Sequence, residues 1–153
     1  MLSLRSYVCR LMVKYWIAQK LNADKTVKEQ RAAFEGIGKL SMLPFKTKIQ
    51  PVEVGSVSAK WISVGNFMEV WVVLYLNGGG YNIGSPYTHR EIAARISKAS
   101  GARILLIDYR LAPENPYPAA VDDAVMAYRW LLKKGFSSQN IAISGDSAGG
   151  GLT

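Results

Sequence analysis

The stretch Ile141-Ala-Ile-Ser-Gly-Asp-Ser-Ala-Gly-Gly-Gly151 decides how the rest of the chain is read. A short apolar run, Asn140 to Ser144, has the length and composition of a buried strand. It runs directly into Gly145-Asp146-Ser147-Ala148-Gly149, which fits G-x-S-x-G. In that pattern a serine sits on a sharp strand-to-helix turn with its hydroxyl raised above the sheet. Glycines flank it because a side chain there collides with the neighbouring strand or helix. The motif alone leaves a second reading open, a Gly-rich helix start that binds an anion.

Seventy residues upstream, Leu74-Tyr75-Leu76-Asn77-Gly78-Gly79-Gly80-Tyr81 is a second strand that empties into glycines. An enzyme that transfers an acyl group must hold the negative oxygen of a tetrahedral intermediate. Backbone N–H groups do this well, and residues without side chains let the substrate approach. The expected oxyanion donors are Gly78, Gly79 and Ala148, the last directly after the serine. A third stretch, Asp108-Tyr-Arg-Leu-Ala-Pro-Glu-Asn-Pro-Tyr-Pro118, lies between the two.

With these three in order the chain resembles the hormone-sensitive-lipase family of α/β-hydrolases, notably its bacterial esterases. The resemblance runs from Val70 to Thr153 and rests on N-G-G-G-Y, G-S-P-x-T-H, D-Y-R-L-A-P-E and G-D-S-A-G-G. It implies a serine carboxylic-ester hydrolase that works through an acyl-enzyme on Ser147, with small apolar esters of short or medium acyl chain as substrates. It implies no cofactor, and the sequence has no metal-ligand spacing. The alternative is a non-catalytic small-ligand-binding protein on the same scaffold, like the gibberellin receptors of plants, which keep the glycine loop and lack the catalytic histidine.

A serine hydroxyl needs a base, and in this fold the chain order is Ser, then Asp or Glu, then His. The triad Asp and His are absent after Ser147. The single histidine, His89, lies upstream in the position of the family's G-S-x-x-x-H, where it is structural. The same resemblance implies that D-Y-R-L-A-P-E holds the loop beneath the site, through partners such as Arg110 and Glu114. Asp146 is expected to fix neighbouring backbone, and Asp122 and Asp123 to serve the first turn of their helix. Asn77 stands where the family usually has a histidine before its glycines. It offers a donor and an acceptor in a different geometry, and so bears on how the loop is held.

The chain has 153 residues and a formal net charge of +8. A domain of this fold often exceeds about 250 residues, so the expectation is the N-terminal part of a longer protein, cut one turn into the helix after Ser147. Residues 1–60 hold eleven Lys or Arg against four Asp or Glu, and residues 61–153 hold eight against seven. The part that carries the motifs is nearly neutral, which argues against nucleic acid as a partner. One cysteine, Cys9, excludes an internal disulfide and fits a reducing compartment, so the expected location is cytoplasmic. No apolar run is long enough to span a membrane.

In chain order, residues 1–22 read as an amphipathic helix with Leu4, Val8, Leu11, Tyr15 and Ala18 on one stripe. A second helix starts after Asp24 or Thr26 and runs towards Leu40, with Pro44 beyond it. Neither belongs to a core sheet. The resemblance implies that residues 1–45 form a helical cap over the active-site mouth, with Leu4, Val8, Leu11, Trp16 and Phe34 as candidate walls of a ligand pocket. Simple packing on the domain and interfacial membrane contact are the alternatives. Residues 46–153 are expected to form the front of the catalytic domain. Strands Lys48–Val54 and Val57–Val64 are joined by Gly55-Ser56, and a doubly buried strand spans Val70–Leu76. Ser85-Pro86 marks a helix start, Ala102–Ile107 a central strand, and Pro118–Lys134 a helix that buries Val121, Val125, Tyr128, Leu131 and Leu132. Strand, helix, strand, helix, strand is the pattern of a doubly wound, mostly parallel sheet with right-handed crossovers.

Overall fold

The computed structural model describes residues 3–12, 14–15 and 24–153. The core is a five-stranded sheet of β1 (Thr47–Val54), β2 (Val57–Val64), β3 (Met68–Leu76), β4 (Ala102–Ile107) and β5 (Ile141–Gly145), in the order β1-β2-β4-β3-β5. The β1–β2 hairpin is antiparallel and closes through two residues, Val54 opposite Val57, with Gly55 at φ +61°. β2 joins β4 antiparallel, whereas β4, β3 and β5 run parallel. This mixed sheet is the front of an α/β-hydrolase fold, with its parallel part built by β3-α-β4-α-β5 crossovers.

Helices cover both faces. α3 (Arg90–Ser100) packs its alanines, Ala93 and Ala94, against Ile62, Val73, Ile104 and Leu106. α4 (Ala119–Lys133) packs Ala124, Ala127 and Leu131 against Val72, Leu74, Leu105 and Ile107 on the other face. Small residues let each helix sit close to the sheet, where most of the β-branched and leucine side chains stand. In β3 the first residues are exposed, and the run Val72 to Leu76 is buried on both faces, as the uninterrupted apolar sequence requires.

Three expectations need correction. α4 buries only part of the stripe read from its sequence: Leu131 is fully buried and Tyr128 half-buried, but Val121, Val125 and Leu132 are each about two-fifths exposed, and alanines fill the rest of the core face. Asp123 lies on that buried side and does not serve the helix dipole. It accepts from Arg110 N–H at 2.8 Å and from the Arg110 guanidinium, whose ionised form it stabilises by these hydrogen bonds. Arg110 is thus the partner of Asp123, while the N–H of Asp108 donates to Ser58 O. Finally, α3 begins at Arg90 and not at Ser85-Pro86. The Ser85 hydroxyl accepts from the N–H groups of Tyr87 and Thr88, and the Thr88 hydroxyl donates to Ser85 O. Those side-chain bonds close a separate turn that competes with a helix start.

Before the sheet, α1 (Leu4–Met12) leaves Leu4, Val8 and Leu11 exposed. Trp16 and Ala18 lie outside the described residues. α2 (Val27–Gly38) starts on a capping box, with Thr26 accepting from Glu29 N–H and Glu29 from Thr26 N–H. It ends at Gly38, where an added Cβ would crowd Thr88 and Tyr87. No helix among the described residues is long and apolar enough to cross a membrane.

The centre of this packing is Leu131, fully buried between α4 and the sheet. Leu131→Ala should lower the unfolding free energy by about 2–5 kcal/mol, read from urea denaturation.

Candidate active site

β3 and β5 are parallel neighbours, with Leu76 paired to Gly145, so the glycine loop and the serine turn leave the sheet side by side. Ser147 holds φ +50° and ψ −119° between β5 and α5 (Ala148–Leu152). A non-glycine residue there is strained, and it persists only when the surroundings fix it. They do. Gly149 lies so close to β3 that an added Cβ would overlap the carbonyls of Leu76 and Asn77. Its N–H donates to Asp146 O at 2.8 Å, closing the turn under an exposed Ser147.

Asp146 ties this turn to the glycine loop. Its Oδ1 accepts from Gly78 N–H at 2.9 Å and from the Tyr75 hydroxyl at 2.8 Å. Burial pushes the Tyr75 hydroxyl well above its ordinary pKa, so it remains a donor. The other oxygen, Oδ2, lies 3.6 Å from His89 Nε2. His89 Nδ1 lies 2.9 Å from the Thr88 hydroxyl and 3.3 Å from Ser85 O, and the ring packs on Phe34 with centroids 5.8 Å apart. The only histidine is therefore engaged in the scaffold around Asp146.

The loop has a second anchor on β4. Tyr109, at the end of that strand, donates its hydroxyl to Asn77 O at 2.6 Å, and burial pushes its pKa up to about 12. Asn77 is 1% exposed, and its Nδ2 donates to Gly78 O at 3.1 Å. Its Oδ1 has no partner among the described residues.

Gly78 departs from the expected donor set, because its N–H is spent on Asp146 and is not free for an oxyanion. The N–H groups of Gly79, Gly80 and Ala148 make no hydrogen bond to another described residue. Gly79 (φ +133°) and Gly80 (φ +60°) carry the loop away from the strand, and a Cβ on Gly79 would overlap Ile83 O. Sequence reasoning missed Tyr75 and Tyr109. Their one signal was a tyrosine at or just beyond the C-terminal end of each of two parallel strands. Glu114 pairs its carboxylate with Arg31 of α2 at 2.7 Å, a partner the sequence reading did not name. The hydrogen bonds from Arg31 hold the Glu114 pKa below its ordinary value. Beside the loop, a cavity of about 500 Å³ is lined by Tyr81, Ala112, Tyr117, Val121 and Leu152.

The sequence pattern of the α/β hydrolase fold matches residues 73–153. An acetyl-hydrolase of Streptomyces hygroscopicus is 42% identical over 78% of this chain and 38% of its own length. Carboxylesterase NlhH of Mycobacterium tuberculosis is 42% identical over 54% of this chain and 27% of its own length. The crystal structure of an esterase from the bacterial hormone-sensitive lipase family superposes with a TM-score of 0.88 at 40% identity. That match covers 99% of this chain and 50% of the esterase, so the chain spans half the length of that structure. With its sheet order and its serine turn in place, the chain belongs to the hormone-sensitive-lipase-like esterase family of the α/β-hydrolase fold.

Proposed function

We propose that this chain carries the nucleophile and the oxyanion donors of a serine carboxylic-ester hydrolase. The observation that supports it most is the strained Ser147, together with the N–H groups of Gly79, Gly80 and Ala148, which bond to no other described residue. In this reading Ser147 Oγ attacks the ester carbonyl carbon as a base removes its proton. The carbonyl oxygen takes up the negative charge and accepts from the three N–H groups, donors of the kind that stabilise such an oxyanion. The tetrahedral intermediate then expels the alcohol, protonated by the conjugate acid of that base, and leaves an acyl-enzyme on Ser147. Water, deprotonated by the same base, releases the carboxylic acid and restores the serine.

Within the described residues Asp146 acts as a loop anchor in this scheme and not as the triad acid, because both its oxygens face other groups. His89 is held by the same scaffold. The base and its acid are supplied by residues outside these 153, and the chain by itself is inactive. The names of the relatives, acetyl-hydrolase and carboxylesterase, favour small esters over a receptor's ligand. The N-terminal helical segment, residues 1–45, serves as a cap over the mouth.

In the full-length protein, Ser147→Ala should abolish hydrolysis of p-nitrophenyl acetate, and a fluorophosphonate should label wild type at Ser147. Hydrolysis that survives Ser147→Ala would sink the assignment. The anchor makes a separate prediction. Asp146→Ala frees Gly78 N–H and the loop with it, and kcat should fall about 100-fold, the scale of losing one oxyanion donor. Asp146→Asn keeps an acceptor at Oδ1 and should fall far less. Equal activity of the two variants would show that the carboxylate does not position the loop.

A further inference from the structure

We infer that Arg31, on the N-terminal helix α2, is a positioning residue for the oxyanion loop, an inference that rests on the ester-hydrolase reading of Ser147. The loop from Gly78 to Ile83 does not hold itself. Gly79, Gly80 and Tyr81 all have positive φ, at +133°, +60° and +62°. For Tyr81 this conformation is costly and needs outside support. The start of the loop has it in Asp146. At its far end, Gly79 O accepts from both Asn82 N–H and Ile83 N–H, at 3.1 and 3.0 Å, so the position of Gly79 follows that of Asn82.

Arg31 fixes Asn82. Its Nε donates to Asn82 O at 2.7 Å, and its Nη2 donates to Ala112 O at 2.8 Å. Ala112 N–H in turn donates to Tyr81 O at 2.8 Å. One guanidinium therefore spans two loops that are already bonded to each other, and closes the ring Tyr81, Asn82, Arg31, Ala112. The remaining donors make a fork on Glu114, Nη1 to Oε1 at 2.9 Å and Nη2 to Oε2 at 2.7 Å. An exposed ion pair of that kind contributes little by itself. The carbonyls of Asn82 and Ala112 are different, since they belong to the loops whose place decides where the Gly79 and Gly80 N–H groups sit. Only a planar guanidinium reaches both carbonyls and the carboxylate at once; a lysine ammonium is a point charge on a flexible stem.

The helix that sequence reading assigns to a cap is in this account part of the oxyanion support. Two neighbouring contacts fasten it there: Ser85 Oγ donates to Glu35, and Arg90 Nη2 donates to Gly38 O at 3.1 Å. They keep Arg31 at a fixed height over the loop.

The test uses the full-length enzyme, with kcat counted per serine titrated by a fluorophosphonate so that only folded sites enter. Arg31→Lys should lower kcat about 10- to 100-fold on acetyl and butyryl esters alike, the scale of an ångström-sized misplacement, with KM nearly unchanged. Affinity for a boronic acid, which presents an oxyanion to the loop, should fall by the same factor as kcat/KM. Glu114→Gln should keep most of the activity. An unchanged kcat per titrated serine in Arg31→Lys, or an equal loss in Glu114→Gln, overturns the inference. Ser147→Ala is measured beside them: activity that survives it overturns the ester-hydrolase reading itself, whereas a dead Ser147→Ala with an unaffected Arg31→Lys overturns only the role of Arg31.

Discussion

The hydrogen bond from Gly78 N–H to Asp146 Oδ1 is the constraint on which the site depends. In the proposed reaction a nucleophile and its oxyanion donors are useful only at a fixed separation, and here Ser147 and the glycine loop leave neighbouring strands. Parallel pairing of β3 with β5 brings the strand ends level at Leu76 and Gly145, but it stops there. The next residues, Asn77 and Asp146, must carry the registration beyond the sheet. A carboxylate does so well because a charged acceptor makes a stronger bond than a neutral one and has lone pairs left for Tyr75. Steric fit completes the lock. Gly78 leaves no space for a Cβ against Asp146, and Gly149 leaves none against the carbonyls of Leu76 and Asn77.

Around that bond the buried polar groups are nearly all matched. Tyr75 and Tyr109 rise from adjacent strands and donate to the two sides of the junction, one to the serine turn and one to Asn77 O. Their raised pKa values have the same physical cause, burial that disfavours the phenolate, and so both remain donors across the neutral range. Asn77 is the exception, with Oδ1 buried and unpartnered among the described residues. Its Nδ2 donates to Gly78 O at 3.1 Å, a bond between neighbouring residues of the loop.

The motifs were legible because each encodes a steric demand that only a few residue types meet. G-x-S-x-G and the glycine triplet announce close backbone approach, and the structure shows that approach at Gly78, Gly79 and Gly149. The strands were legible from apolar runs and alternation, and the β2 faces divide as the sequence pattern requires, Val57 and Ala59 to one core and Ile62 and Val64 to the other. What was not legible has a common origin: it depends on partners far apart in sequence. Which glycine N–H is free depends on Asp146, sixty-eight residues away from Gly78. The buried face of α4 was misread at Val121, Val125 and Leu132, where larger residues were taken as core. Beneath α4 the sheet presents Leu74, Leu105 and Ile107, and the helix meets them with Ala124, Ala127 and Leu131.

Docking of α2 draws these strands of argument together. An amphipathic segment is expected to attach through its apolar stripe, yet α2 is fastened to the loops by polar fixings: Arg31 on Asn82, Ala112 and Glu114, and Glu35 on Ser85. Phe34 adds one ring contact on His89, which stands beside Asp146. Hydrogen bonds are directional, whereas apolar burial tolerates sliding. A helix attached in this way transmits position and not merely cover. The chain therefore surrounds its glycine loop on three sides, with the serine turn, the end of β4 and α2, and each side is fixed by a donor or acceptor of defined geometry. Such a loop can keep three consecutive residues at positive φ, which the sequence of Tyr81 alone would not sustain.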